Sequence, residues 1–186
     1  MNYRRIIFYI DMDGVLAMWE ENVSEEETHE KGHFLNKEAE ESAVGLVRML
    51  KDAGEDVRIM SSVYRDDHSG MDKHMWLNEA GLQDIPRIFV PYGDDKHAYI
   101  EDDDALAVLI DDYGKNLRAW EADGNLAIKF MNGINNRPKL TIANGIVHVK
   151  QDTWTGYSID RRMSPRQMYL LVTSIAYAVA AEGGAA

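Results

Sequence analysis

A single α/β domain, a Rossmann-like parallel sheet with helices packed on both faces, is the fold this sequence predicts, and three observations predict it. Short apolar runs, partly β-branched or aromatic, alternate with stretches of helical spacing. The helical stretches end on glycines at positions 54, 81 and 124, where a helix stops most easily. A length of 186 residues fills one core well and leaves too little chain for a second.

The elements follow in order. "IIFYI", residues 6–10, is apolar throughout and reads as a strand buried on both faces. "EESAVGLVRMLKDAG" brings Val44, Val47, Met49 and Leu50 near one face of a helix that Gly54 ends. "DVRIM" is the second strand, and "SGMDKHMWLNEAGL" the helix after it, stopping at Gly81. "RIFVP" is the third strand, with "KHAYIEDDDA" read as a helix behind it. "LAVLI", the helix "GKNLRAWEADG" and the strand "LAIKF" complete the alternation. Trp76 and Trp120, at helical spacing among apolar neighbours, are expected in the core. Residues 137–182 then change pattern, as a C-terminal hairpin and helix. "KLTIANGIVHV" is two alternating runs joined by Asn144-Gly145, a strong hairpin signal. "TWTGYSID" offers a further strand, and Ser164-Pro165 opens the last helix as N-cap and first turn.

Composition removes several classes of function. A net charge of −12 argues against binding a nucleic-acid polymer, which needs a basic surface to displace counterions. An anionic small molecule remains open, because a local pocket can be positive on an acidic protein. With no cysteine, disulfides and thiolate metal sites are excluded. Asp11 cuts the first apolar run too short for a signal peptide, and the fourteen residues "MYLLVTSIAYAVAA" are too few to cross a bilayer. The expectation is a cytoplasmic protein without a membrane partner. Its last helix either seals the core or forms the face of a homodimer.

Chemistry gathers at four strand ends. The first carries Asp11 and Asp13, the second Ser61 and Ser62, the third leads to Lys96, and the fourth ends in Asp111 and Asp112. In a parallel sheet these ends converge on the crevice where ligands bind. Clustered carboxylates repel one another and call for a cation, and an all-oxygen set suits Mg²⁺. Such a cation beside an ammonium and a hydroxyl cradles a phosphoryl group and lets a carboxylate attack it. Asp13 projects from a turn that Gly14 relaxes. It is placed to protonate a departing oxygen and then to deprotonate water. The spacing of the acids leaves open which one attacks. Adjacent serines alternate faces along a strand, so one of Ser61 and Ser62 reaches the phosphate if the strand continues, and Ser61 is preferred. Tyr64 and Arg65, just beyond, lie within reach of a substrate.

These residues resemble the haloacid dehalogenase superfamily of phosphohydrolases over residues 5 to about 130. "DMDGV" fits its first motif, Ser61 its hydroxyl motif, Lys96 its lysine motif and Asp111-Asp112 its closing acidic pair. "DMDGVLA", the "K..WL" of Lys73, Trp76 and Leu77, and "LIDDYGKNLRAWEADGNLAIKF" are similar to the cytosolic type of 5′(3′)-deoxyribonucleotidases. The resemblance implies Asp11 as nucleophile and Asp13 as acid/base. It implies Mg²⁺ held by Asp11, the Asp13 backbone carbonyl and Asp111, with phosphate on Ser61 and Lys96. Asp112 joins the metal group as a ligand or as an acid behind one, or supports the turn through the following "GKN". The expected reaction is Mg²⁺-dependent hydrolysis of a phosphate monoester, a nucleoside monophosphate first among candidates, through an aspartyl phosphate. Another small phosphate, or binding without turnover, are the alternatives. The family inserts a helical cap after its first motif, and here only residues 17–40 are available for it, charged and weakly periodic.

One competing motif lies in that segment. "HEKGH", residues 29–33, matches the zinc-protease pattern H-E-x-x-H. The pattern needs both histidines on one firm helix, and Gly32 and the polar flanks speak against a helix there.

Overall fold

The computed structural model describes residues 5–66, 68–102, 104–135, 139–143, 146–150 and 154–183, of which 139–143 and 146–150 are described by backbone alone. Five apolar runs form the strands β1 (Ile6–Ile10), β2 (Asp56–Val63), β3 (Arg87–Pro91), β4 (Leu106–Asp111) and β5 (Leu126–Met131). Two more, β6 (Lys139–Ala143) and β7 (Ile146–Lys150), pair antiparallel with each other as a separate hairpin. The Asn144-Gly145 turn expected between them lies outside the described residues. A last strand, β8 (Tyr157–Asp160), returns to the main sheet beside β5.

That sheet is all parallel, in the order β3-β2-β1-β4-β5-β8. The order reverses between β1 and β4, so the carboxyl ends of those two strands flank the switch point where open α/β sheets bind ligands. β1 sits in the middle with every residue buried, which explains its unbroken apolarity. Ile6, Phe8 and Ile10 face one layer, and Ile7 and Tyr9 the other.

The helices are α1 (Glu25–Thr28), α2 (Glu41–Asp52), α3 (Ser69–Glu79), α4 (Gly114–Ala122) and α5 (Pro165–Gly183). Side chains of α2, α3 and α5 pack into the core on the Phe8 side. Leu117 and Trp120 of α4 cover the Tyr9 side, where Trp120 donates to the Ala107 carbonyl at 3.1 Å. Trp76 and Trp120 are both core residues, as expected. On α2 the buried stripe is Ala43, Val44, Leu46, Val47 and Leu50, while Met49 lies at its edge, half-buried.

Two expectations change. "KHAYIEDDDA" is not a helix: one 3-10 turn, Lys96–Tyr99, gives way to extended backbone at Ile100. The acids that follow are taken by other partners. Glu101 pairs with Arg58, and Asp102 accepts from Arg5 at 2.8 Å and from the Asp104 backbone at 3.1 Å. A side chain that bonds its own backbone two residues on competes with helix formation. The C-terminal segment is also less of an appendage than its pattern suggests. β8 closes the sheet, and Met168, Val172, Ala176 and Ala180 of α5 are buried in the main core. The opposite side of α5 leaves Leu170, Leu171 and Tyr177 exposed. Among the described residues no helix is long and apolar enough to cross a membrane.

The segment 17–40 leaves and re-enters the core through paired strands of chain. Met18 N–H donates to the Glu38 carbonyl at 2.8 Å, and Glu40 N–H to the Leu16 carbonyl at 2.7 Å. Its regular structure is the single short helix α1, capped by a reciprocal Ser24–Glu27 box. The rest is turns, laid over α3 and the end of β2. Gly32 N–H donates to Asp72 at 2.7 Å, Trp76 to the Lys37 carbonyl at 2.7 Å, and Thr28 to Tyr64 at 3.1 Å.

Candidate active site

Parallel strands deliver the acids. β1 runs out just past Ile10 into Asp11, whose N–H is still bonded to the Ile110 carbonyl of β4 at 2.9 Å. β4 ends at Asp111, and Asp112 follows it. The carboxylates of Asp11, Asp111 and Asp112 are all buried, and one oxygen from each lies within 4.8 Å of the others. Lys96, from the 3-10 turn after β3, enters beneath them, 2.8 Å from Asp11 Oδ1 and 2.7 Å from Asp111 Oδ2. Further donors fix each acid. Asp11 Oδ1 accepts from Met12 N–H at 2.8 Å. Asp111 accepts from Tyr113 N–H at 2.7 Å and from Asn116 at 2.9 Å. Asp112 accepts from Asn132 at 2.6 Å and also from Asn135.

Two buried ammonium groups, Lys96 and the Lys129 on which Asp112 and Asp111 act, do not balance three buried carboxylates. Burial pushes Asp11 up to about 7, against the pull of Lys96 and with Asp111 and Asp13 adding to the rise. Burial likewise holds Asp112 well above the carboxylate range, with Asp111 and Asp11 adding. Desolvation works against the charge on Lys96, but Asp11 and Asp111 outweigh it and keep its pKa above that of an ordinary lysine. A set of hard oxygens short of positive charge fits a divalent cation such as Mg²⁺.

Asp13 lies apart from this cluster. Its Oδ2 is bound by the Lys73 ammonium, and Ser61 Oγ stands 3.5 Å from the same oxygen. The Asp13 side chain is therefore outside the metal group, which leaves only its backbone carbonyl for that role. Just past Asp13 the chain turns sharply. Gly14 has φ +79, and its N–H bonds the Ala17 carbonyl at 2.8 Å. A Cβ on Gly14 would sit 2.3 Å from Asp112 Oδ2 and 3.0 Å from Asn132 Nδ2. Gly14→Ala is expected to cost about 1–3 kcal/mol in urea denaturation, from the left-handed φ and the displaced carboxylate. A loss within error of zero would mean the turn relaxes freely.

β2 continues through Val63, so the two serines do alternate. Ser61 is fully buried against Lys73 and Asp13, and Ser62 lines the open cleft. That cleft, about 260 Å³, has Asp11, Asp13, Asp112 and Lys73 at its floor. Trp19, Phe34, Tyr64, Tyr92 and Tyr113 form its walls. Tyr64 stands 4.7 Å from Tyr92 and 6.1 Å from Phe34, ring centre to ring centre. Arg65 is exposed and does not line the cleft.

The HEKGH pattern loses its helix, since α1 stops at Thr28 and residues 29–36 are turns and a bend. His29 packs on Tyr64 at 4.1 Å and His33 against Phe34 at 5.0 Å. Among the described residues, the three aspartates are the only group of His, Cys, Asp or Glu close enough to share a metal ion.

Sequence reading missed Asn132, Asn135 and Asn116 as supports of the acids, and most of the aromatic wall. An asparagine just past a strand end is the only local signal for Asn132. No signal exists for the wall, whose rings come from separate segments. No family model matches the chain, and no curated protein matches it significantly.

Proposed function

We propose that this protein is a cytoplasmic, Mg²⁺-dependent phosphomonoesterase that works through an aspartyl phosphate on Asp11 and takes a nucleoside monophosphate as substrate. The observation that carries the reading is the convergence of Asp11, Asp111 and Asp112 with Lys96 at the switch point of the sheet, beneath a cleft walled by aromatic rings.

Asp11, Asp111 and the Asp13 carbonyl would hold the cation, with Asp112 beside them. The bound cation supplies the charge that offsets repulsion between a carboxylate and a phosphoryl group. Asp11 attacks phosphorus while Lys96, fixed against the nucleophile, steadies the charge that develops. Asp13 gives its proton to the leaving oxygen and recovers one from the water that opens the acyl phosphate. Ser62, in the cleft wall, is the serine placed to donate to the phosphate, with Ser61 behind it.

Planar walls favour a planar substrate group, and stacking on one ring contributes about 1–3 kcal/mol per base. The purified protein should release phosphate from p-nitrophenyl phosphate with Mg²⁺ and not with EDTA. A panel of nucleoside monophosphates against sugar phosphates then tests the substrate class, and equal rates on both would remove the nucleotide reading. Tyr64→Leu is expected to raise KM about tenfold for the best nucleotide and to leave glucose 6-phosphate unchanged. An equal rise for both would assign the ring to the fold rather than the base.

A further inference from the structure

Lys73 is a buried lysine, 1% exposed, that the proposed chemistry has not used. It lies on the inner side of α3, with Trp76 and Leu77 packed one turn further along. Its ammonium donates to Asp13 Oδ2, to Ser61 Oγ at 3.1 Å and to the Ser62 carbonyl. The Phe34 ring stands 4.3 Å away, on the side of the insert. An ammonium has three N–H donors, and these three acceptors take all of them. None remains for a phosphate oxygen. Lys96 differs: its described partners, Asp11 and Asp111, take two of three. The two lysines therefore divide the work.

Asp13 shows the other half of the division. Oδ2 is occupied by Lys73, while Oδ1 is shielded from solvent and has no hydrogen-bond partner among the described residues. The carboxyl is thus gripped at one oxygen by a fixed ammonium while the residue still lines the cleft.

From this we infer that Lys73 is a positioning residue for proton transfer: it anchors Asp13 through Oδ2 and so fixes at the cleft the carboxyl from which the oxygen leaving phosphorus takes its proton. The inference rests on the phosphomonoesterase reading. In the step concerned, an Asp11 oxygen bonds to phosphorus and the bond from phosphorus to the leaving oxygen breaks. The electron pair stays on that oxygen, which takes the proton from the Asp13 carboxyl. Water then attacks the acyl phosphate, Asp13 takes its proton, and the pair returns to Asp11 as phosphate departs.

A residue that acts through a general acid matters in proportion to how badly the leaving group needs a proton. Phenyl phosphate and p-nitrophenyl phosphate are close in shape, and only the first releases a strongly basic phenolate. The measurement is kcat/KM for both, with Mg²⁺, in wild type, Lys73→Met, Asp13→Asn and the double variant. It reports steps up to release of the phenol. Lys73→Met is expected to lower the value about 100-fold on phenyl phosphate and less than about threefold on p-nitrophenyl phosphate. Within Asp13→Asn, the same change should add less than about threefold on either. Equal losses on the two phosphates, or losses that multiply with those of Asp13→Asn, overturn the inference and make Lys73 a structural or phosphate-binding residue. If wild type hydrolyses neither, the phosphatase reading fails and takes the inference with it. Should Lys73→Met not fold, Lys73→Arg keeps the charge but cannot serve three converging acceptors from a planar fork, and the same comparison applies.

Discussion

Asp11→Asn is expected to lower phosphate release from any monoester by at least about 10⁴-fold, since loss of a covalent nucleophile removes the step that divides the reaction in two. The change is nearly isosteric, so the fold should survive it. Asparagine can still accept from Met12 N–H, and it removes one of the negative charges around Lys96. Activity and stability should therefore move apart, with turnover gone and the midpoint of urea unfolding unchanged or raised. Acid quench of the wild type during turnover of ³²P-labelled substrate should leave label on the protein, and the variant should carry none. A variant that turns over at the wild-type rate would end the assignment of Asp11.

The second large effect concerns Lys96. Lys96→Met leaves Asp11, Asp111 and Asp112 buried without the ammonium that bridges Asp11 and Asp111. Removing one partner of a buried ionic group costs about 3–5 kcal/mol, because the remaining charge has neither water nor counter-ion. The cost should depend on pH. Asp11 is raised in the folded protein, from an ordinary 3.8 to about 7, and Asp112 is raised as well. The folded state then binds more protons than the unfolded one between these values. The stability contribution of each acid is full below the unfolded pKa and is lost as pH rises through the folded one. Lys96 titrates far above this range, in the direction that keeps it charged throughout. The substitution should thus be severe at pH 8 and milder at pH 5, where protons replace the missing ammonium. Urea denaturation of both proteins at the two pH values measures it. An equal loss at pH 5 and pH 8 would show that carboxylate repulsion is not the cause.

Much of this arrangement is legible in the sequence, for physical reasons that differ by residue. Asp11 and Asp13 were conspicuous because acids at the mouth of a buried strand are costly, and Asp111-Asp112 repeated the anomaly. Their convergence followed from strand–helix alternation, since parallel strands end on one side. Lys96 was found as a residue and misplaced as structure. A run of acids looks helical in spacing, while its hydrogen bonds to Arg58, Arg5 and backbone are long-range or competing. Lys73 was visible only as a letter in a resemblance. Its meaning depends on α3 crossing the site so that the ammonium meets Asp13, 60 residues away. No local pattern encodes that angle. The aromatic wall was illegible for the same reason, and so was the part played by β8 and α5, because periodicity tells inside from outside and not which neighbour is met.

Arg161 sets the last condition. It follows β8, bonds Glu40 at 2.7 Å, reaches the Asn132 carbonyl at 3.3 Å and touches the Met18 sulfur at 3.9 Å. One guanidinium thus ties both ends of the segment 17–40 to the loop that steadies Asp112. Met18 precedes Arg161 by 143 residues, and Gly14 precedes Asn132 by 118. During synthesis Asp11 leaves the ribosome early, while the side chains that hold its surroundings together emerge much later. Pairings this distant in sequence close late. A chain not yet extended to Asn132 and Arg161 lacks the contacts that hold Asp112, Gly14 and both ends of the segment 17–40 together.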